Sequence, residues 1–301
     1  MSIELHGIVP PAITPFDENE EFSPGALKEV VDYLIEQGVH AIFVAGSVSE
    51  FFALRIEETK ALIRSAVRAV DGRVPLLAGT GAITTRDALE LSRYAEEVGA
   101  DALSILTPYF IVPNLEELYQ HYAAIARAVK LPILGYTNPG RAGGITLPPT
   151  LMSRLANEFE NVVGIKDSSG SLPMLVDYKR LCPPHFKVFT GLDTIIFDAV
   201  LNDCAGAVAG LANLAPALVV SVYELARAGR LEEAKVAQRK LFPLREAYSL
   251  GTFPAVIKEG MAMLGLPAGR CRRPIQPLSP EARSRLRQVL SEALGPDALV
   301  A

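Results

Sequence analysis

Cysteine is scarce: Cys182, Cys204 and Cys271 are the only thiols in the 301-residue chain. Odd in number and far apart, they do not make a disulfide framework, and they fit a reducing compartment. The four histidines, His6, His40, His121 and His185, are equally scattered. With no HxxxH pair and no CxxC spacing, the sequence offers no protein-ligated metal. An excess of basic charge is also missing. Lys and Arg number 29 against 34 Asp and Glu, giving a formal charge of −5. The cations are scattered instead of striped, so a nucleic-acid partner is not expected.

Long apolar runs are lacking too. Residues 204–223 form a 20-residue window without charge, nominally the length of a membrane span. Gly206, Gly210, Asn213 and Pro216 interrupt it, and it reads as a short strand, a turn and a helix beginning near Pro216. No membrane partner is expected. Residues 1–7 lack the basic and apolar regions of a secretion signal, so the expectation is a cytoplasmic protein. Phosphate-binding loops are absent as well. Gly79-Thr80-Gly81 lacks the third glycine of a dinucleotide fingerprint, and no glycine is followed by lysine.

What the chain does have is apolar material, 50% of its residues, with 21% charged, enough for a sizeable core. Short apolar runs alternate with amphipathic stretches as far as residue 228. The strands expected are 8–13, 41–45, 75–79, 102–107, 132–136, 162–166, 187–191 and 207–210. Leu27, Val30, Val31 and Leu34 make one helical face in the gaps. Strict alternation with near-continuous apolar strands predicts an α/β fold, a closed parallel (β/α)8 TIM barrel over residues 1–228. An open doubly wound sheet is the alternative. Residues 229–301 read as about three helices packed on the barrel as an appendage, one functional unit with it. Thr252 before Pro254 and Ser279 before Pro280 are the cap signals for the last two.

In such a barrel, chemistry sits where strands end. The ends are polar here: Gly46-Ser47-Val48-Ser49-Glu50, Thr107-Pro108-Tyr109-Phe110, Tyr136-Thr137-Asn138-Pro139-Gly140-Arg141 and Lys166-Asp167-Ser168-Ser169-Gly170. Lys166 closes an apolar run, and period-two alternation puts it on the face of Val162 and Gly164. If that face is the interior, desolvation favours the neutral amine, a nucleophile for carbonyl carbon. The plainer reading is a strand-end lysine reaching solvent. Tyr136 shares parity with Leu134; beside an amine a phenol can relay protons, and otherwise its ring simply packs under a loop. The Gly46-Ser47-Val48 turn offers N–H groups and a hydroxyl suited to a carboxylate, although such turns are common.

Over nearly its whole length the chain resembles the dihydrodipicolinate synthase and N-acetylneuraminate lyase family of class I, Schiff-base-forming lyases. The resemblance is carried by V-P-P-A-I-T-P-F over 9–16, the 46–50 turn, A-G-T-G over 78–81, T-P-Y over 107–109, Tyr136 with Pro139, G-I-K over 164–166, residues 206–213 and R-P-I-Q-P-L over 273–278. It implies catalytic roles for Lys166, the Schiff-base lysine, and Tyr136, which donates and accepts protons. Ser47 and Val48 match the pair holding the carboxylate of the 2-oxo acid, and Val208 a backbone position lining the same pocket. Arg141 falls where the synthase branch has an arginine facing the second substrate's carboxylate. Ser168, Gly191 and Asp193 fall where the sugar-acid lyase branch contacts hydroxyls. The resemblance further implies a homotetramer, a dimer of dimers, with no organic cofactor and no metal.

Departures from the family pattern bear on the substrate. Val48 removes a hydroxyl from the usual G-T-T-G-E or G-S-T-G-E turn, and Ser49 replaces its glycine. Phe110 stands where the synthase branch has a tyrosine reaching into the neighbouring subunit's site as part of a proton relay. Ile56, Thr59 and Ile83 replace the histidines and asparagine of lysine-regulated synthases. The expected function is a pyruvate-dependent lyase. An aldolase or dehydratase of 2-keto-3-deoxy sugar acids, or of related hydroxy-oxo acids, is favoured over dihydrodipicolinate synthase, which joins pyruvate to aspartate semialdehyde. Arg141 favours the synthase, and a non-catalytic binding barrel is the reading of another class.

Overall fold

The strands read as continuously apolar because their alternate residues serve two hydrophobic layers. Phe43, Leu77, Ala102, Leu134, Phe189 and Val208 pack together in one buried cluster. Their neighbours Ile42, Val44, Leu76, Ala78, Leu103, Ile105, Ile133 and Val188 belong to the other, shared with the helices. Burial on both faces is what a parallel sheet covered by crossover helices requires.

The structure, a computed structural model, describes residues 4–300. Met1 to Ile3, with which the stretch read for a secretion signal begins, and Ala301, the end of the expected helical segment, lie outside the described residues. The eight strands are β1 (Gly7–Ile8), β2 (Ile42–Val44), β3 (Leu76–Gly79), β4 (Ala102–Leu106), β5 (Ile133–Thr137), β6 (Val162–Asp167), β7 (Lys187–Thr190) and β8 (Gly206–Ala207). All pair in parallel, in the order β1-β8-β7-β6-β5-β4-β3-β2. A parallel bridge between Pro11 and Phe43 joins the two ends of that order into a (β/α)8 barrel. Between the strands run α1 (Pro24–Glu36), α2 (Ile56–Val70), α3 (Thr85–Glu97), α4 (Leu115–Ala128), α5 (Pro149–Glu158), α6 (Leu172–Leu181) and α7 (Ile196–Leu201), and α8 (Pro216–Arg227) follows β8.

Three local differences from the expected elements have physical causes. The first strand was expected over 8–13, but its regular ladder ends at Ile8. Pro10 and Pro11 have no N–H to donate, so the segment continues only as the bridge to Phe43. The last strand ends at Ala207, since Gly210–Asn213 winds into a 3-10 turn. In β6 the pairing register shifts: Ile133 faces Val162, while Leu134 already faces Gly164. Val162 therefore packs in the helix-facing layer and Val163 against the interior cluster. The alternation that placed Lys166 on the face of Val162 is broken by this bulge.

Beyond the barrel come α9 (Leu231–Glu246), α10 (Ala255–Met263) and α11 (Pro280–Leu294). α9 packs on α8, and α11 on α9. Ser279 caps α11 as expected, its hydroxyl accepting the Ala282 N–H at 3.2 Å. Thr252 does not cap α10, whose boundary residue is Pro254. The residue two positions after Thr252 is this proline, which has no N–H for a hydroxyl to receive. No helix of the described residues is long and apolar enough to cross a membrane.

Burial of His121 on α4 makes the fold sensitive to acid. The ring lies against Thr85 Oγ1 at 2.9 Å, and desolvation pushes its pKa from 6.5 to about 4. The unfolded chain then binds the proton more readily than the folded one. Stability is complete above about pH 6.5 and is lost progressively as pH falls toward 4, by about 3 kcal/mol in all. Thermal melting from pH 7 to 4 should show this loss in the parent protein and a shallower one in His121→Asn; equal slopes would contradict the assignment.

Candidate active site

The carboxyl end of β2 turns sharply. Ala45 (φ 57°) and Glu50 (φ 55°) bracket the Gly46-Ser47-Val48-Ser49 segment in the left-handed region, which L residues adopt at a cost of about 1–2 kcal/mol each. The cost is offset by a closed set of bonds. Ser49 Oγ donates to Ala12 O (2.6 Å) and accepts Gly46 N–H (3.2 Å), while Thr14 Oγ1 donates to Ser49 O (2.6 Å). Gly79 of β3 allows the close approach, since a Cβ there would fall 2.2 Å from Ala45 O. These bonds use neither the Ser47 nor the Val48 N–H, leaving both donors for an anion. The serine that departs from the family glycine is thus a fastener of the turn.

Beneath the turn lies Lys166. Tyr136 and Lys166 are partners across β5 and β6. The Lys166 amine stands 3.8 Å from the centroid of the Tyr136 ring and 4.9 Å from that of Phe43. Lys166 is 4% exposed, which settles its direction: inward, not toward solvent. Tyr136 Oη is 3.2 Å from Ser47 Oγ and accepts a hydrogen bond from Asn138 Nδ2 at 2.9 Å. Amine, phenol and the Ser47–Val48 turn are therefore contiguous.

Burial dominates the electrostatics. It holds the Lys166 amine below the usual ammonium range, with Tyr136 and Asp193 opposing. Burial would raise the Tyr136 phenol, but the neighbouring Lys166 charge and the bonds from Ser47 and Asn138 outweigh it and bring the phenol below its ordinary value. Amine and phenol thus each favour the charged form of the other. Asp193 is raised by its own burial, opposed by Leu211 N–H, Arg245 and Lys166.

The other residues anticipated for the site divide. Val208 is buried in the interior cluster with Phe43. Ser168 and Gly191 meet at the ends of β6 and β7, where a Cβ on Gly191 would fall 1.9 Å from Ser168 Oγ. Asp193 is buried, but its Oδ1 accepts Leu211 N–H at 2.9 Å and its carbonyl accepts from Gln238 at 2.9 Å, so it braces the loop after β7. Arg141 lies at the mouth, its guanidinium 4.1 Å from the Phe253 ring centroid. Phe110 is not brought to this chain's own site. At φ 72° its side chain turns outward and is 90% exposed, beside Ile111, Val112 and Leu115.

Three contributors escaped the sequence reading. Asn138 donates to the Tyr136 oxygen; its signal was the polar strand end in which it sits. Phe43 floors the amine, readable only once its inward parity is known. Glu50 pairs with Lys258 of α10 at 2.6 Å, both fully buried, and accepts Arg272 N–H at 3.0 Å. That pair ties the turn to the C-terminal segment, and removing one partner of such a pair costs about 3–5 kcal/mol. Its partners are over 200 residues apart, which no local pattern reveals. A larger hollow of about 860 Å³ lies near Lys258 and Arg270, and Lys166 does not line it. Among the described residues, no group of three or more His, Cys, Asp or Glu side chains could hold a metal ion.

Fold and geometry together define a (β/α)8 barrel with a desolvated amine and a phenol at the carboxyl ends of its strands. The profile of the dihydrodipicolinate synthetase family matches residues 4–293, and the chain belongs to that family. It is similar to the 4-hydroxy-tetrahydrodipicolinate synthase of Methanopyrus kandleri, 34% identical over 293 residues, 97% of either chain. The enzyme of that name from Teredinibacter turnerae is 37% identical over 281 residues, 93% of this chain and 96% of the relative. Among solved structures, YagE, a prophage protein of the dihydrodipicolinic acid synthase family from E. coli in complex with pyruvate, superposes with a TM-score of 0.93. It is 32% identical, and the match covers 96% of this chain and 98% of that one. Dihydrodipicolinate synthase from Aquifex aeolicus gives a TM-score of 0.93 at 30% identity, covering 97% and 99%.

Proposed function

We propose that the chain is a class I lyase that binds pyruvate as a Schiff base on Lys166 and joins its enamine to an aldehyde. The observation carrying this reading is the buried Lys166 amine, 3.8 Å from the Tyr136 ring centroid, below a turn whose Ser47 and Val48 N–H groups are free. The pyruvate carboxylate docks on Ser47 and Val48, and the amine adds to C2. Tyr136 protonates the carbinolamine oxygen, which leaves as water and yields the iminium. Loss of a C3 proton gives the enamine, whose C3 bonds to the aldehyde carbon while the aldehyde oxygen takes a proton. Hydrolysis of the new iminium releases the product and frees Lys166.

For the aldehyde, the relatives' names support condensation with aspartate semialdehyde better than cleavage of 2-keto-3-deoxy sugar acids, which the sequence reading favoured. Arg141 at the mouth supports the same choice, as does Asp193, whose Oδ1 is engaged with Leu211 N–H. The sugar-acid reading keeps one observation of its own: Phe110 and Val48 carry no hydroxyl for a synthase relay. The exposed strip Phe110, Ile111, Val112 and Leu115 supports self-association, the dimer step of the tetramer in this reading.

The test is a coupled assay. Condensation of pyruvate with aspartate semialdehyde should exceed pyruvate release from 2-keto-3-deoxygluconate by about tenfold or more in kcat/KM. Added lysine should not inhibit, since Ile56, Thr59 and Ile83 offer it no charged partner. Faster sugar-acid turnover would select the second reading.

A further inference from the structure

β4 carries a hydroxyl among apolar neighbours, in the run Ala-Leu-Ser-Ile-Leu over 102–106. Ala102 packs in the interior cluster, whereas Leu103 and Ile105 belong to the helix-facing layer, so alternation turns Ser104 into the barrel. The residue is 2% exposed, and its Oγ has no hydrogen-bond partner in the protein. Buried polar groups are nearly always paired, so a hydroxyl left over inside a barrel points to a bound partner.

That hydroxyl opens on a hollow of about 10 Å³ walled by Phe43, Ala45, Gly79, Gly81, Leu106 and Tyr136. One water needs roughly 10–15 Å³ of such space and two to four polar partners. The backbone supplies further partners. A Cβ on Gly79, which Ser104 faces across β3 and β4, would fall 2.2 Å from Ala45 O, and one on Gly81 would fall 2.8 Å from Leu106 O. Both carbonyls lie against glycines whose missing side chains leave the space open. Two other walls are the rings that hold the amine: Lys166 Nζ stands 3.8 Å from the Tyr136 centroid and 4.9 Å from that of Phe43. An imine on Lys166 puts C3 of pyruvate two bonds from that nitrogen, against the same rings. The Tyr136 hydroxyl is drawn toward the turn instead, 3.2 Å from Ser47 Oγ.

We propose that Ser104 holds a single water in this hollow and that the water carries the C3 proton of the iminium to Tyr136. The proposal rests on the Schiff-base reading above and adds to it the acceptor that enamine formation requires. Having protonated the carbinolamine oxygen, Tyr136 is a phenolate when the iminium forms. The water accepts from Ser104 Oγ and donates to a carbonyl of Ala45 or Leu106 and to the phenolate, which leaves it one lone pair. The C3–H bond then breaks; its electron pair becomes the C2–C3 double bond, and the nitrogen takes back the pair of the C2–N double bond. The proton joins the water oxygen while another proton leaves the water for the phenolate. Water and phenol are both restored, and Lys166 carries the neutral enamine. Ser104 acts through the water, as a positioning residue.

Pyruvate alone in heavy water tests this, because each return of the enamine to the iminium puts solvent deuterium on C3. Proton NMR should show the methyl signal washing out with the parent protein. Ser104→Val fills the hollow with an apolar group and should slow the washout on the order of 100-fold, with pyruvate KM little changed. Ser104→Ala keeps room for the water without its donor and should slow the washout several-fold. A crystal structure that shows ordered water should place one on Ser104 Oγ in the parent protein and none there in Ser104→Val. The borohydride-trapped pyruvate adduct is measured in each variant as a separate readout of Lys166. Washout unchanged in Ser104→Val with the adduct still formed, or no water on Ser104 in the parent protein, overturns the relay and leaves the Schiff-base reading standing. No adduct in the parent protein overturns the reading on which the relay rests.

Discussion

Lys166→Met is expected to fold, to melt higher than the parent protein, and to lose turnover by about 10⁴- to 10⁶-fold. The two shifts have one cause. The amine is held in the interior among Phe43 and the Tyr136 ring, where its charge is costly and its neutral form is useful. An unbranched apolar side chain of similar length removes the desolvation cost and the nucleophile together. The gain should be about 0.5–2 kcal/mol, the size usual when a strained functional group is replaced by a packing one. Steady-state kinetics and thermal melting on the same preparation check both. A variant retaining a hundredth of the activity would mean that the carbonyl is activated by something else.

Tyr136→Phe is the second large effect. It should lower kcat by about 10²- to 10⁴-fold, the range for a positioned acid–base group, with pyruvate affinity much less changed. The ring still packs against the Lys166 amine, so the loss is confined to the hydroxyl. Two groups lose their partner with it, Ser47 Oγ at 3.2 Å and Asn138 Nδ2 at 2.9 Å. A modest drop in Tm should accompany the kinetic change. Rates within threefold of the parent protein would show that Tyr136 only packs.

Much of this architecture was legible in the sequence because strand runs and helix periodicity are local. The alternation of apolar runs anticipated all eight strands, and the polar strand ends marked where Ser47, Tyr136 and Lys166 meet. What was not legible depends on register and distance. The β6 bulge puts Val162 in the outer layer and Val163 against the inner one, so Lys166 shares its inward face with Gly164 as expected but not with Val162. Prolines at 10 and 11 shorten a strand that composition makes look longer. The Glu50–Lys258 pair comes together only when α10 folds back against the turn after β2. Phe110 could be named from its motif, whereas its outward turn required the backbone angle.

The most direct test of the central claim is chemical. Incubation with pyruvate followed by borohydride reduction should add one reduced pyruvyl group per chain, and peptide mapping should place it on Lys166. Lys258, equally buried but paired with Glu50, should stay unmodified. An adduct on any other lysine, or no adduct at all, would contradict the account.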